Sequence, residues 1–312
     1  MNSAGVRARI AEREDIHVIA ALTAVMFWAT GPILNKTISV GTPSIVLYRT
    51  LIGTPLMILS AYRTGGRIDR TLMRNTMVPG ILFAFSFMTG FASVKMTSVA
   101  NATLVTTLQP VLVLFVARRM FGERLRPSQI GWSLVSMVGV LVVVLAAAST
   151  SGAHVSGDLM AVLNVCIWSA YFVLAKKRRL AGVHAGSFLA AAFIWASMVI
   201  VPFGLVASND LTAVTGPDWL RLVGMAVGPG LIGHSLMTWS QGRLDVTIAS
   251  VFGLLSPVIS TALAWMILGE SLTPVQMVGA GVVIASLMFL VREQRGSSSM
   301  PLEPEEIQAP TG

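Results

Sequence analysis

Two ionisable side chains of this sequence lie inside long apolar runs, where they could bind a small solute. Arg49 lies about 9 Å from the start of its run, at about 1.5 Å of helical rise per residue. Holding an arginine there costs roughly 2.5 kcal/mol or more unless it is paired or wetted, so Arg49 is a candidate anchor for a substrate carboxylate or phosphate. Alternatively, its side chain extends along the helix to the surface. His234 could hydrogen-bond substrate, carry a proton, or bond a neighbouring backbone group.

Two prolines, Pro110 and Pro257, also interrupt apolar runs, and each follows a polar residue, Gln109 or Ser256. Proline has no N–H to donate, so each predicts a kink and a released backbone carbonyl four residues earlier. A kink beside a polar side chain is typical of a substrate site or a gate, which makes Gln109 a candidate binding residue. The alternative is that the kinks only shape packing, with neighbouring hydroxyls bonding the carbonyls.

A tryptophan followed eight residues later by a lysine occurs twice, as Trp28 with Lys36 and as Trp168 with Lys176. The indole rings are candidates for an aromatic substrate pocket, and packing is the alternative. Lys36 is a candidate for the external vestibule of such a pocket. Alternatively, both lysines extend from helix ends to the surface.

The most extensive pattern is an internal repeat, in which Gly122 and Glu123 recur as Gly269 and Glu270. The constant shift of 147 gives eleven identities over positions 99 to 129. A match at a fixed offset indicates two copies of one unit. Each glutamate follows a glycine and precedes a proline near the next helix start, where its carboxylate can accept hydrogen bonds from free N–H groups. These four residues are predicted to be structural residues of a helix joint.

Composition identifies the elements that carry these residues as membrane helices. The 312 residues are 54% hydrophobic and only 12% charged, which is too little charge to cover a soluble surface. Ten apolar runs approach the roughly 20 residues that cross a bilayer. The sequence predicts an all-α integral membrane protein with ten transmembrane helices, at 16–38, 43–62, 75–94, 98–117, 129–148, 158–176, 186–207, 219–240, 247–268 and 274–291.

The basic residues orient these helices. If the N-terminus is cytoplasmic, eighteen of the 22 lysines and arginines fall on the cytoplasmic side, so both termini are predicted to be cytoplasmic in a multi-pass protein of the inner or plasma membrane. Each copy holds five helices, so the second copy enters the membrane from the opposite side as an inverted repeat. The predicted units are a cytoplasmic tail (1–15), the first repeat (16–150), the second repeat (154–292) and a disordered cytoplasmic tail (293–312).

These features together resemble a known family. Two five-helix halves, a Trp and a Lys on the first helix of each, Arg49 on the second helix, and Pro followed by Gly-Glu-x-Leu-x-Pro-x-Gln are similar to the drug/metabolite transporter superfamily of EamA type. The resemblance covers residues 16–292. It implies a ten-helix inner-membrane permease for small metabolites, often amino acids or related compounds, frequently moved outward. The second copy has no arginine matching Arg49, so that residue is not part of the shared scaffold.

Several other classes of protein are not supported. The four histidines are scattered at 17, 154, 184 and 234, so no catalytic residue is predicted, and a phosphate-cradling Gly-x4-Gly-Lys motif is missing from the sequence. A single cysteine offers neither a disulfide nor a metal-ligand set, and no cofactor is predicted. Because the basic residues lie between apolar runs, nucleic acid is not a predicted partner. The predicted partners are a small-molecule substrate and the lipid bilayer, with a homodimer left open.

The sequence therefore predicts a permease or exporter that works by alternating access between two inverted repeats, without ATP and without enzymatic activity. All 14 acidic residues lie at tails, joints or helix ends, which disfavours a proton relay through a buried carboxylate. Facilitated diffusion or exchange is expected, with His234 as the central proton candidate. The alternatives are a membrane channel and a non-transporting scaffold protein.

Overall fold

The computed structural model describes residues 3–96, 102, 105–106, 108–122, 126–147, 155–268 and 274–298. Regular structure in these residues is helical throughout, without a β-strand, which confirms the predicted all-α class, while the count of ten transmembrane helices stays a prediction. The α-helices are α1 (Ser3–Thr37), α2 (Thr42–Arg63), α3 (Arg70–Met96), α4 (Gln109–Phe121), α5 (Pro127–Ala147), α6 (Val155–Leu180), α7 (Ala185–Ala207), α8 (Gly216–Met225), α9 (His234–Ser240), α10 (Val246–Phe252), α11 (Leu255–Leu268) and α12 (Pro274–Ser298).

Seven described segments are long and apolar enough to cross a membrane: Asp15–Thr37, Thr42–Arg63, Arg70–Met96, Leu159–Leu180, Ala185–Ala207, Gly216–Ser240 and Val246–Ile267. Shorter apolar stretches, Ile130–Gly139 in α5 and Met277–Phe289 in α12, accompany them. Each of the seven spans overlaps one of the predicted runs. The largest differences are at the start of the span in α3, which begins five residues before the predicted run, and at the end of the span in α6, which ends four residues after it.

Local sequence signals explain where these helices begin. Gly41 precedes α2 in an extended conformation, and Pro43 occupies its first turn, where the missing N–H is not needed. Thr215 begins α8 with a capping box, in which its side chain accepts from the Asp218 N–H and the Asp218 side chain accepts from the Thr215 N–H. The starts of α2 and α8 are therefore fixed by residues at the starts themselves.

The segment between α8 and α9 is a π-helix, Ala226–Gly233, centred on Pro229 with a glycine on either side. Proline removes a backbone donor, and the flanking glycines tolerate the wider turn that results. Short π-helical segments inside α-helices are rare and are frequent at functional sites. This one ends immediately before His234, so it determines the direction from which that side chain enters the bundle.

The helices of the first half of the chain, α1 to α5, pack mainly against helices of the second half, α6 to α12. Helix α1 packs against the π-helix, α9 and α11 of the second half, and α6 packs against α3 and α4 of the first half. Helix α2 pairs with α7, α5 pairs with α12, and the short helices α4 and α10 meet. A helix of the first half and its counterpart in the second half therefore make equivalent contacts with the opposite half.

Two large apolar clusters fill this bundle. One surrounds Phe83, Phe188 and Phe193 in α3 and α7, and the other surrounds Phe172 and Phe252 in α6 and α10. The Trp168 side chain packs against both clusters. The space between the clusters is where the predicted binding residues meet.

Candidate substrate-binding site

A central cavity of about 280 Å³ is lined by residues from both halves of the chain. Six residues that the sequence singles out line it: Trp28, Arg49, Gln109, Trp168, His234 and Pro257. These residues come from six different helices, and the positions of the first and last are more than 200 residues apart in sequence. The fold thus brings most of the candidate binding residues to one place.

Arg49 is the charged group of this cavity. Its side chain is 4% exposed, and its Cζ lies 4.0 Å from the ring centroid of Phe87 and 5.0 Å from that of Phe91. Its Nε and Nη1 have no hydrogen-bond partner among the described residues, and no described carboxylate forms an ion pair with it. The side chain does not extend to the surface. It is a buried cation with donors available for an anion.

His234 is enclosed by aromatic rings in the same cavity, and one of them is Phe87, which also contacts Arg49. The His234 ring centroid lies 5.3 Å from that of Trp28, 5.1 Å from that of Phe83 and 5.8 Å from that of Trp168. Trp28 and Trp168 meet edge to face with centroids 5.7 Å apart. The two tryptophans of the repeated Trp-x7-Lys pattern therefore form one aromatic wall. Aromatic faces of this kind can hold a planar or cationic part of a solute.

The two prolines lie at breaks between helices. Pro110 is in the first turn of α4, which begins at Gln109, and Pro257 is in the first turn of α11, after α10 has ended at Phe252. A continuous helix with a mid-point kink was predicted. A break occurs because proline fits the first turn of a helix without losing a hydrogen bond. Pro110 is buried but does not line the cavity.

One predicted consequence of Pro257 is wrong. The carbonyl of Gly253, four residues earlier, was expected to be a free acceptor, but it accepts a hydrogen bond of 3.0 Å from the Ser256 N–H. The tight turn at Gly253 and Leu254 provides this donor. The polar edge of the break is instead formed by the Gln109 side chain, since a Cβ added to Gly253 would lie 4.0 Å from the Gln109 Oε1 atom.

The two lysines of the repeated pattern have different environments. Lys36 is exposed at the end of α1 and does not line the cavity. Lys176 is 4% exposed and donates a hydrogen bond from Nζ to the Leu244 carbonyl, so the expectation that it extends to the surface is wrong. The loop around Leu244 folds over the end of α6 and covers the ammonium group. Neither lysine lines the central cavity.

Gly122, the described residue of the repeated joints, does not line the cavity. Gly122 caps the end of α4 in a left-handed conformation, with φ of 66°, which a glycine adopts without strain. Glu123, Gly269 and Glu270 lie outside the described residues. Their assignment as joint residues stays a prediction.

Asn164 is a cavity residue that the sequence did not single out for binding. Its Oδ1 accepts a hydrogen bond of 2.7 Å from the Ser86 hydroxyl, which links α6 to α3, and both residues line the cavity. Asn164 precedes Trp168 by one helical turn, so the two share a face of α6. This spacing was the signal that could have found it.

Two carboxylates tie the halves together at the bundle end where α1 finishes. Asp210 accepts hydrogen bonds from the Ser44 hydroxyl and the Gly41 N–H, and Asp218 accepts from the Ser39 hydroxyl and N–H. Burial of Asp210 favours its neutral form, but these hydrogen bonds outweigh that effect and hold the pKa of Asp210 below its ordinary value. The carboxylate form therefore stabilises this end of the bundle.

A bundle of apolar helices whose cavity holds a cation without a described ion-pair partner, beside interrupted helices, is typical of a membrane transport protein, since irregular backbone at membrane depth is kept where it lines a cavity. The chain belongs to the EamA-like transporter family, whose model matches residues 15–145 and 155–292. The predicted resemblance is confirmed. The protein is a multi-pass membrane transporter built from two repeats of this family.

The chain is similar in sequence to named proteins. The chain is 28% identical over 256 residues to the aromatic amino acid exporter YddG of Ancylobacter novellus, across 78% of this chain and 86% of the relative. It is 24% identical over 290 residues to the pseudopaline exporter CntI of Pseudomonas aeruginosa, across 90% and 99%. A solved crystal structure with 21% identity matches with a TM-score of 0.75, covering 89% of this chain and 97% of the other, which shows the shared fold.

Proposed function

We propose that this protein exports small metabolites that carry a carboxylate, such as amino acids or related compounds. The observation that carries the proposal is Arg49, a buried guanidinium in the central cavity that no described carboxylate neutralises. A substrate carboxylate would supply both the counter-charge and the missing hydrogen-bond acceptors, in a geometry that a guanidinium matches with two parallel bonds. The name of the aromatic amino acid exporter to which the chain is similar supports this class of solute.

The rest of the cavity fits the remaining parts of such a solute. A volume of about 280 Å³ suits a molecule of amino-acid size. The Trp28 and Trp168 rings offer apolar faces to a side chain, and Gln109 and Asn164 offer amide groups to an amine or hydroxyl. The substrate would therefore be held by its carboxylate at α2 and by its side chain between α1 and α6.

The transport cycle that we propose is alternating access between two inverted five-helix halves, ten helices in all, with both termini in the cytoplasm. The breaks at α4 and between α10 and α11 support it, because each places a change of helix direction beside the cavity. The two halves would move against each other around a fixed site. The sequence contains no motif for binding ATP, so the solute gradient or exchange would drive export.

The proposal is tested by growing cells that overproduce the protein on toxic amino acids and related metabolites. Wild-type protein should give resistance to at least one of these solutes, and the Arg49→Ala variant should lose it. Arg63→Ala is the matched control, since Arg63 lies exposed at the end of the same helix. Resistance that survives Arg49→Ala would contradict the role of Arg49, and no resistance to any solute would favour a scaffold.

A further inference from the structure

A second cavity, of about 470 Å³, lies where α1 enters its apolar span and where α6 and α9 end. It shares no lining residue with the central cavity. Its described walls carry two arginines, Arg179 and Arg243, together with His17 and Trp239, and no described carboxylate lines it. A concave site with two cations and no acidic residue in its described walls selects anions.

Arg179 is held in a fixed position in this cavity. Its Nε donates to the Thr238 carbonyl at 3.0 Å, and its Nη1 donates to the Val183 carbonyl. The Nη2 atom lies against Gly242, where an added Cβ would be 2.9 Å away, and it has no hydrogen bond to a described residue. The guanidinium is therefore oriented in advance, and one of its amino groups keeps its hydrogen-bonding capacity for a ligand.

Arg243 and an aromatic pair complete the walls. Arg243 is exposed and forms no ion pair or side-chain hydrogen bond with a described residue. The His17 and Trp239 rings stack with centroids 3.9 Å apart and an interplanar angle of 19°. Trp239 is 38% exposed, as is typical of a tryptophan at the boundary between membrane and water.

The position of this cavity indicates the source of the anion. Ile16, 48% exposed, lies at the start of the Asp15–Thr37 span, and Trp239 lies at the end of the Gly216–Ser240 span. Both are at the level where lipid headgroups meet the protein. Basic pockets between helices at this level bind phosphate-bearing headgroups. We propose that this cavity is a phosphate site, in which the Arg179 and Arg243 guanidinium groups bind the phosphate of an anionic lipid headgroup.

The test is native mass spectrometry of the purified full-length protein with phosphatidylglycerol, or with the diacylglycerol of the same acyl chains, which lacks the phosphate. Wild-type protein should retain phosphatidylglycerol preferentially. Arg243→Gln should lower that retention about fivefold, as expected for roughly 1 kcal/mol per basic residue. Arg63→Gln is the matched control, since it removes an exposed arginine that does not line the cavity.

A second variant tests the geometry without changing the charge. Gly242→Ala places a methyl group against the Arg179 Nη2 atom and should also lower phosphatidylglycerol retention. Competition with inorganic phosphate separates the sources of the ligand: displacement of the lipid supports recognition of the phosphate alone, and lipid retention that resists phosphate supports recognition of the whole headgroup. Equal retention of both lipids, or equal retention by Arg243→Gln and Arg63→Gln, would overturn the proposal.

Discussion

The Arg49 guanidinium rests on two phenylalanine rings that replace part of the water it has lost. A desolvated cation–π contact contributes about 2 kcal/mol, whereas an arginine at membrane depth costs about 2.5 to 3.5 kcal/mol. The rings of Phe87 and Phe91 thus offset much of the cost but supply no hydrogen-bond acceptors. The arginine is tolerated without substrate and keeps its hydrogen-bonding capacity for an anion.

A substitution at Phe87 tests this arrangement. In Phe87→Leu the side chain remains apolar, but the aromatic face 4.0 Å from the Arg49 Cζ is lost. The guanidinium should then be less well positioned, and we expect the KM for transport to rise about two- to fivefold, as for roughly 0.5 to 1 kcal/mol. The measurement is the concentration dependence of transport into proteoliposomes.

The control for this substitution is Phe83→Leu, one helical turn away on α3. Phe83 is fully buried, packs 4.2 Å from Phe87 between ring centroids, and has no cation–π contact with Arg49. It should lower thermal stability at least as much as Phe87→Leu does, with less effect on KM. If the two variants change KM equally, the effect comes from packing and not from the contact with Arg49.

At the scale of helices, the breaks near Pro110 and Pro257 bring Gln109 and Ser256 to the cavity. The sequence predicts both irregularities, because proline in an apolar run disturbs a helix wherever it occurs. It does not predict that α10 ends at Phe252 and α11 restarts at Leu255, since that depends on the turn at Gly253 and Leu254. The Ser256 N–H bond to the Gly253 carbonyl belongs to this turn.

The turn between α10 and α11 depends on a small residue at position 253. A Cβ added to Gly253 would lie 2.9 Å from the Ser250 carbonyl oxygen, which is backbone and cannot move aside. Gly253→Ala should therefore destabilise the protein by about 1 to 3 kcal/mol, as overpacking does. Thermal unfolding in detergent measures this as a lower Tm.

The matched control is Gly224→Ala in α8, where an added Cβ meets nothing within 4 Å. Alanine in a helix is favoured over glycine by about 0.5 to 1 kcal/mol. The control should leave Tm unchanged or raise it. A Gly253→Ala variant as stable as the control would show that the turn does not require glycine.

The hydrogen bonds of Asp210 to the start of α2 should make stability depend on pH. Because its pKa is lowered in the folded protein, the ionised carboxylate contributes stability above the ordinary pKa of about 4, and that contribution is lost as pH falls through the lower, folded value. We expect Tm to fall on acidification in the wild type and to fall less in Asp210→Asn. Asp245→Asn serves as control, since the exposed Asp245 makes no side-chain capping bond.

At the scale of the whole molecule, the sequence predicts the all-α membrane architecture and six of the residues that line the central cavity. Composition and periodic apolar runs identify the membrane helices, and polar residues within them identify Arg49, Gln109 and His234. The direction that each side chain faces was not predictable, because it depends on which helices become neighbours. The rings beneath Arg49 come from α3, and the bond that covers Lys176 comes from a loop near residue 244, both distant in sequence.

The inverted arrangement that we propose predicts a fixed orientation in the membrane. A green fluorescent protein fused to the C-terminus should be fluorescent, because it is active in the cytoplasm. A phosphatase that works only outside the cytoplasm should be inactive when fused there. The segment 208–215 between α7 and α8 should show the opposite pattern when a phosphatase is inserted there. Phosphatase activity at the C-terminus would reverse the proposed direction of both halves.

The central claim is that Arg49 binds the carboxylate of an exported solute. The most direct measurement is counterflow in proteoliposomes, loaded either with an amino acid that the resistance screen identifies or with the amine that lacks only its carboxylate. The amino acid should exchange and the amine should not, and Arg49→Gln should reduce amino acid exchange roughly tenfold or more, as expected for a lost charged hydrogen bond. Equal exchange of the two solutes, or full exchange by Arg49→Gln, would contradict the account.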